Sequence, residues 1–392
     1  MTESAISLLV DNLTIEARGE RKHTIVSHVS FALERGQVLG LFGPSGSGKS
    51  SILRAIAGLI PAKANPKGRI RWAPESRRFT GRVEIGQRDV TFLPPRDRGI
   101  GYVPQSLALF DDQTVRANLA FPLVATRVPN RGEVQSAVET MARSLGIAEL
   151  LDQAAREISG GQRQRVAIGR ALIGRPSLVL MDEPLANLDA SLKTDVMRLL
   201  SRSLREAQAC TVYVTHEHAE ATELCDMVAF LEKGALHQVA SPAEAYQNPK
   251  TFFVARSFSE FVNVVPGSLD AAGRFKPLGV NAYWPVSEGT KGWVAGGGQM
   301  VLAGREGGFR LTHDNNGIPG VVARTFIRQD YHFARVQIGG TLEIDVTTSG
   351  QQEPEGARVS VALAGASSPD IRLYDCGAAP ISALPSPGGA QF

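Results

Sequence analysis

Eight residues, Gly43-Pro44-Ser45-Gly46-Ser47-Gly48-Lys49-Ser50, follow the pattern G-x-x-x-x-G-K-[ST], which is built to hold nucleotide phosphates. The glycines let the backbone curl until successive N–H groups point inward as an anion nest. Lys49 has the reach for the outer phosphates, and the Ser50 hydroxyl suits Mg2+. A second group, Leu178-Val179-Leu180-Met181-Asp182-Glu183, ends a buried apolar run in two carboxylates. Asp182 suits water-mediated Mg2+ ligation at the carboxyl end of a strand. Glu183 suits the polarising of a water that attacks a γ-phosphate. A third group, Ile158-Ser159-Gly160-Gly161-Gln162-Arg163-Gln164-Arg165, leads into a helical pattern. Ser159 and two glycines leave that helix N-terminus open to a phosphate. One chain then carries two anion sites far apart in sequence. The second is expected to serve ATP held by another copy of the chain.

These groups need elements to hold them. Val38–Phe42 reads as a buried strand before the phosphate loop, and 51–57 as the helix after it, its positive end toward the phosphates. Further strands are expected over 177–181 and 211–215, and helices over 162–173 and 191–207. This alternation, sustained to about residue 245, predicts an α/β fold with a largely parallel sheet. Gly68-Arg69-Ile70-Arg71-Trp72 and Gly81-Arg82-Val83-Glu84-Ile85 echo each other and read as neighbouring strands of a small antiparallel sheet. Ser241 and Pro242 read as the N-cap and first residue of a helix.

From about Val262 the pattern changes to frequent glycine and period-2 alternation. Ala334, Val336 and Ile338 share one face, as do Leu342, Ile344 and Val346, and Gly339-Gly340 between them signals a two-residue hairpin. Short strands over 300–303, 309–311, 321–327 and 359–363 predict a small barrel or sandwich. The expected organisation is a nucleotide-binding domain over 1–245, a linker over 246–261, a β domain over 262–378 and a disordered tail over 379–392.

The 392 residues carry 42 Lys+Arg against 39 Asp+Glu, a net charge of +3 that argues against a nucleic-acid footprint. Three scattered cysteines, Cys210, Cys225 and Cys376, offer neither zinc spacing nor a disulfide framework, which fits a reducing compartment. The first residues lack a secretory pattern, and no apolar run approaches the ~18 residues needed to span a bilayer. Any membrane role is therefore expected to run through a partner.

Taken together, the motifs resemble the ATP-binding subunit of an ABC transporter, in family order over about residues 5–245. Gly43 to Ser50 resembles the Walker A loop, 158–162 the family signature and 178–183 Walker B with its glutamate. Gln105, in Gly101-Tyr102-Val103-Pro104-Gln105, resembles the Q-loop glutamine. Ala186-Asn187-Leu188-Asp189 resembles the D-loop, and His216 the switch histidine. Singly, Gln105 would pass for a surface glutamine and His216 for a structural histidine. The resemblance implies a P-loop NTPase domain: a RecA-like core, an antiparallel β subdomain and a helical signature subdomain. It implies that ATP is held by Gly43, Pro44, Ser45, Gly46, Ser47, Gly48, Lys49, Ser50 and Ser51, with Gln105 and Asp189. Ser159, Gly160, Gly161 and Gln162 of a second copy would complete the site. Mg2+ would fall to Ser50, Gln105 and Asp182, and catalysis to Glu183, His216 and Lys49.

Some positions depart from the family pattern. Ile158 stands for the usual leucine, Asn187 for a smaller residue, and Ala17 where an aromatic residue usually stacks on adenine; Arg18 and His23 are the nearby planar side chains. The β-rich region over about 260–375 resembles the OB-like TOBE module of importers, though only Gly304-Arg305-Glu306 remains of its Arg-Pro-Glu element. The stretches 93–103 and 114–119 resemble importers of ions and small charged solutes, such as molybdate, sulfate and ferric iron, more than those of sugars. The partners so implied are a second copy, membrane permease subunits and, indirectly, a solute-binding protein, with the chain peripheral on the cytoplasmic face of the membrane. Alternatives are exporter ATPases, which generally carry fused membrane helices, and soluble ATPases of DNA repair or translation, which usually carry a coiled-coil insertion or two ATPase units. A third is a chain that only binds nucleotide.

Overall fold

A computed structural model describes residues 6–17, 23–62, 77–125, 130–186, 188–258, 263–270, 272–286, 300–305, 307–312, 317–328, 331–348, 353–364 and 371–375. Asn187, Cys376, Glu306, the segment 68–72 and the tail 379–392 lie outside them. The chain divides into two compact units, Met1–Ala243 and Glu244–Phe392.

In the first unit the chain runs β1 Ile6–Ala17, β2 His23–Glu34, β3 Val38–Phe42, α1 Lys49–Ile56, β4 Arg77–Ile85, β5 Arg88–Asp89 and β6 Ile100–Val103. It continues through α2 Val115–Ala125, α3 Arg131–Ser144, α4 Gly160–Leu172, β7 Leu178–Asp182, α5 Ala190–Ala207 and β8 Cys210–Thr215. It closes with α6 His218–Leu224, β9 Met227–Glu232 and β10 Ala235–Ala240, and α7 Pro242–Gln247 spans the boundary between the units. Strands β10-β9-β3-β8-β7-β6 form the central sheet. All its pairings are parallel except β9–β10. β3, β7 and β8 are buried along their whole lengths, which explains their unbroken apolar runs. A second sheet, β2-β1-β4-β5, is antiparallel. Gly81–Ile85 therefore pairs with β1 and β5, as part of β4. Leu8, Val10, Val29 and Phe31 of that sheet share one core with Leu39, Leu41, Ile52 and Ile56. The phosphate-loop helix is thus fixed from both sides.

Arg98 ties this core to α1 from within. Its buried guanidinium donates to the carbonyls of Leu93 at 3.0 Å, Thr91 at 3.2 Å, Ala55 at 3.0 Å and Ile56 at 2.6 Å. Two of those carbonyls belong to the open C-terminal end of α1. Burial pulls the guanidinium down to about 10, which leaves it charged at neutral pH. Arg98→Met strands the carbonyls of Leu93, Thr91 and Ile56, while Ala55 keeps the Gly58 N–H at 3.0 Å. The substitution is expected to destabilise the first unit by about 3 kcal/mol, read as a lowered Tm for that unit's transition.

In the second unit α8 Phe252–Phe258 precedes β11 Asn263–Leu269, β12 Arg274–Pro277, β13 Trp284–Pro285, β14 Met300–Gly304 and β15 Phe309–Thr312. β16 Ile318–Arg328, β17 Tyr331–Ile338, β18 Leu342–Thr347, β19 Arg358–Leu363 and β20 Ile371–Asp375 follow. Two five-stranded sheets result, β13-β12-β11-β14-β20 and β15-β19-β16-β17-β18, both antiparallel throughout. This all-β arrangement agrees with the expected OB-like class. Their core holds Trp284, Phe275, Phe309 and the two expected faces, Ala334-Val336-Ile338 and Leu342-Ile344-Val346. Asn263 stitches the sheets by donating to the Asp345 carbonyl at 2.7 Å and accepting from its N–H at 2.8 Å. The β17–β18 turn corrects the sequence reading. Ile338 pairs with Leu342, so three residues, Gly339 to Thr341, close it. Both glycines have positive φ, 59° and 77°, and Thr341 N–H returns to the Ile338 carbonyl at 3.3 Å. The stretch 246–261 contains α8, whose Ala255 packs with Val264, Val301, Ala303 and Tyr374.

Candidate nucleotide site

Strand order explains how distant residues converge. β3, β8, β7 and β6 are successive neighbours and run parallel, so their carboxyl ends lie along one edge. The chain leaves β3 into the Gly43–Ser50 loop, β7 into Glu183, β8 into His216 and β6 into Pro104-Gln105.

The phosphate loop is tightly specified. Gly43 sits at φ 157°, and a Cβ there would stand 2.0 Å from the Leu231 carbonyl oxygen. Gly48, the N-cap of α1, sits at φ 101°, where a Cβ would meet Val26 at 2.6 Å. Any side chain at either glycine would push the loop off the sheet. Lys49 is only 5% exposed, and its Nζ donates to the carbonyls of Gly43 at 2.6 Å and Pro44 at 2.9 Å. Burial pulls its ammonium below the usual lysine range, against the opposing pull of Glu183 and Asp182. The Ser47 hydroxyl is buried with no hydrogen-bond partner. A buried donor without a partner inside an anion nest fits a phosphate oxygen as its missing acceptor.

Ser50 Oγ donates to Asp182 Oδ1 at 2.8 Å. Asp182 is 3% exposed, and burial pushes its carboxyl above the ordinary range, partly offset by Ser50 and Arg54. Among the described residues no group of three or more His, Cys, Asp and Glu could hold a metal alone. One hydroxyl beside one carboxylate instead fits Mg2+, which keeps several waters and takes substrate phosphates as ligands.

Glu183 stands in the left-handed region at φ 46°, with its N–H on the Val214 carbonyl at 3.2 Å. A non-glycine residue held there carries strain of order 1 kcal/mol. The turn aims its carboxylate between two groups: Gln105 Nε2 lies 3.4 Å from Oε2, and His216 Nδ1 3.4 Å from Oε1. Gln105 and His216 are both exposed. A carboxylate so flanked can accept a proton from a water at the sheet edge.

Ser159 caps α4 in a full capping box. Its Oγ accepts from Gln162 N–H at 3.4 Å, and Gln162 Oε1 accepts from Ser159 N–H at 2.9 Å. Ser159 and Gly160 are exposed and Gly161 buried, so the end of the helix faces outward. Arg163 braces it, donating to Asp111 at 2.5 Å and the Ala155 carbonyl at 2.6 Å. Asp189, exposed, caps α5 by accepting from Leu192 N–H at 3.0 Å. Ala17 ends β1 and pairs in register with His23 of β2, which sets one of the two planar candidates beside the position expected to stack on adenine; Arg18 lies outside the described residues.

The structure brings Lys49, Ser50, Asp182, Glu183, Gln105 and His216, each singled out in the sequence, to one edge of the sheet. Sequence reasoning passed over Arg54 and Tyr102, both close enough to Asp182 to act on it electrostatically. It also passed over Lys193, Glu217 and Glu220 behind His216. No local spacing links Lys193 to residues more than twenty positions later; only the β7–β8 adjacency does.

A nest at the end of a buried parallel strand, a hydroxyl–carboxylate pair and a strained glutamate define a P-loop nucleotide-binding domain. Residues 26–186 match the family model described as ABC transporter. The trehalose/maltose import ATP-binding protein MalK of Thermococcus litoralis is 42% identical over 238 residues, 59% of this chain and 59% of its own length. The sulfate/thiosulfate import ATP-binding protein CysA of Mycobacterium bovis is 40% identical over 62% of this chain and 64% of its own length. The sn-glycerol-3-phosphate import ATP-binding protein UgpC of Yersinia pseudotuberculosis is 34% identical over 75% and 78%. The chain belongs to the ABC transporter family. It spans about three fifths of the length of the first two of these relatives.

Proposed function

We propose that the chain hydrolyses ATP with Mg2+ as the peripheral energy-coupling subunit of an importer, on the cytoplasmic face of the membrane. The observation that carries this reading is the Ser50–Asp182 pair beside Glu183, with Gln105 and His216 on either side of its carboxylate. Lys49, Ser47 and the loop N–H groups hold the β- and γ-phosphates. Ser50 and Asp182, with Gln105, hold Mg2+, which supplies charge neutralisation to the phosphates. Glu183 takes the proton of the attacking water, and His216 stands against the γ-phosphate. Ser159, Gly160 and Gly161 of a second copy close the other face of the nucleotide, so that ATP joins two copies and hydrolysis parts them. That motion passes to permease subunits that receive the solute from a binding protein. Among the described residues no helix is long and apolar enough to cross a membrane, so the proposed pathway belongs to those partners. Residues 1–245 act as the nucleotide-binding domain and 262–378 as a TOBE-like module.

The relatives' names divide between import of sugars and import of anions. We assign the solute no further than a small solute, with the ion and charged-solute class carried by 93–103 and 114–119. The testing experiment measures phosphate release by the purified chain with Mg2+, with EDTA and with DNA, then beside permease subunits co-expressed from neighbouring genes. Mg2+-dependent turnover that responds to the permease and ignores DNA is expected. Stimulation by DNA alone would favour the repair-type alternative.

Asp182→Asn is expected to cut turnover about 10²-fold while the nucleotide-free protein melts no lower than wild type. Burial raises the Asp182 pKa in the folded state, so its ionised form weakens the fold. That penalty grows as pH rises through the window above the ordinary aspartate value, and asparagine removes it. Thermal melting from pH 4 to 7 checks the sign.

A further inference from the structure

We propose that Glu220 and Lys193 are positioning residues for His216, clamping the loop that carries it to the helix capped by Asp189. The inference rests on the ATPase reading of the site. Glu220 is 3% exposed and touches none of the phosphate or Mg2+ residues described above. Its Oε2 accepts from Tyr213 Oη at 2.9 Å and from Thr215 Oγ1 at 2.7 Å. Its Oε1 pairs with Lys193 Nζ at 2.6 Å, and the same ammonium reaches Glu217 at 2.5 Å. Glu217 N–H donates in turn to Thr215 Oγ1 at 3.0 Å. His216 is the residue between Thr215 and Glu217, so both its neighbours are held by one charge cluster centred on the buried Glu220.

Lys193 carries the cluster onward. It sits in the first turn of α5, where its N–H donates to the Asp189 carbonyl at 2.9 Å. A continuous path of hydrogen bonds and ion pairs therefore runs from Asp189 through Lys193 to the His216 loop. The two carboxylates hold the Lys193 ammonium in its charged form, against its burial. The His216 imidazole itself meets Glu183 only at 3.4 Å, too long to fix a ring. The backbone of 215–217 sets where it stands. A carboxylate this buried is retained at high desolvation cost and is satisfied on both oxygens. Its partners are the strand before the histidine and the helix that follows the D-loop, which suits a clamp rather than core filling.

The test compares Glu220→Gln, Lys193→Met and the conservative Lys193→Arg, in wild-type and His216→Ala backgrounds. In the wild-type background Glu220→Gln and Lys193→Met are expected to lower kcat about tenfold with KM for ATP within about twofold, and Lys193→Arg to restore most of the loss. In the His216→Ala background neither is expected to lower kcat further, since both act through the missing ring. In nucleotide-free protein, Glu220→Gln and Lys193→Met are expected to shift the His216 imidazole NMR signal and leave that of His237, on β10 three strands from β8, in place. Independent, additive losses in the His216→Ala background, or an unmoved His216 signal, would overturn the clamp. Lys193→Met carries the test if Glu220→Gln does not fold. Absence of hydrolysis by the wild type would sink the ATPase reading alone, and the His216 signal would still decide the clamp.

Discussion

Glu183→Gln is expected to bind ATP as tightly as the wild type and to lose about 10²- to 10³-fold in turnover, the range that removal of a general base produces. The geometry supports a specific loss. The substitution keeps the side chain's size and its contact with Gln105, and the backbone at φ 46° is set by the turn rather than by the carboxylate. What disappears is the one group between Gln105 and His216 able to take a proton. Phosphate contacts from Gly43 to Ser50 are untouched, so binding stays. Stopped-flow binding of a fluorescent ATP analogue beside steady-state phosphate release separates the two. Near-normal turnover would remove Glu183 from the role of base.

Lys49→Ala is expected to act earlier and to weaken ATP binding itself by about 10²-fold, since truncating one partner of a buried, hydrogen-bonded charge pair costs about 2–5 kcal/mol. Lys49 Nζ is held by the carbonyls of Gly43 and Pro44, which places the ammonium inside the nest. Its loss removes the cation and frees two carbonyls that repel phosphate. Titration calorimetry with Mg2+ and a slowly hydrolysed ATP analogue reads this directly. A Kd within a factor of about three of wild type would contradict the role given to Lys49.

The first unit was legible in the sequence because its site is built from contiguous motifs at strand ends. Each buried strand reads as an apolar run, and Glu183 and His216 each stand one position beyond such a run. Paired antiparallel strands were harder. Gly81–Ile85 found β1 and β5, partners in the sheet that periodicity alone does not name. The hairpin at Gly339 was read one residue short because both a two- and a three-residue loop accept glycines of positive φ. The cluster of Lys193, Glu217 and Glu220 left no local trace. Charged residues on helices usually read as a solvated face, and only the fold shows that Glu220 points inward.

On the proposed reading, the nest of one copy and the Ser159 helix end of another share a nucleotide. Sedimentation velocity on Glu183→Gln with saturating Mg2+ and ATP tests it most directly, beside the same variant carrying Ser159→Arg. The expected result is a monomer without nucleotide, a dimer with ATP, and a monomer with ATP once Ser159→Arg fills the outward-facing helix end. A Glu183→Gln protein that binds ATP yet remains monomeric would contradict it, as would a dimer indifferent to Ser159→Arg.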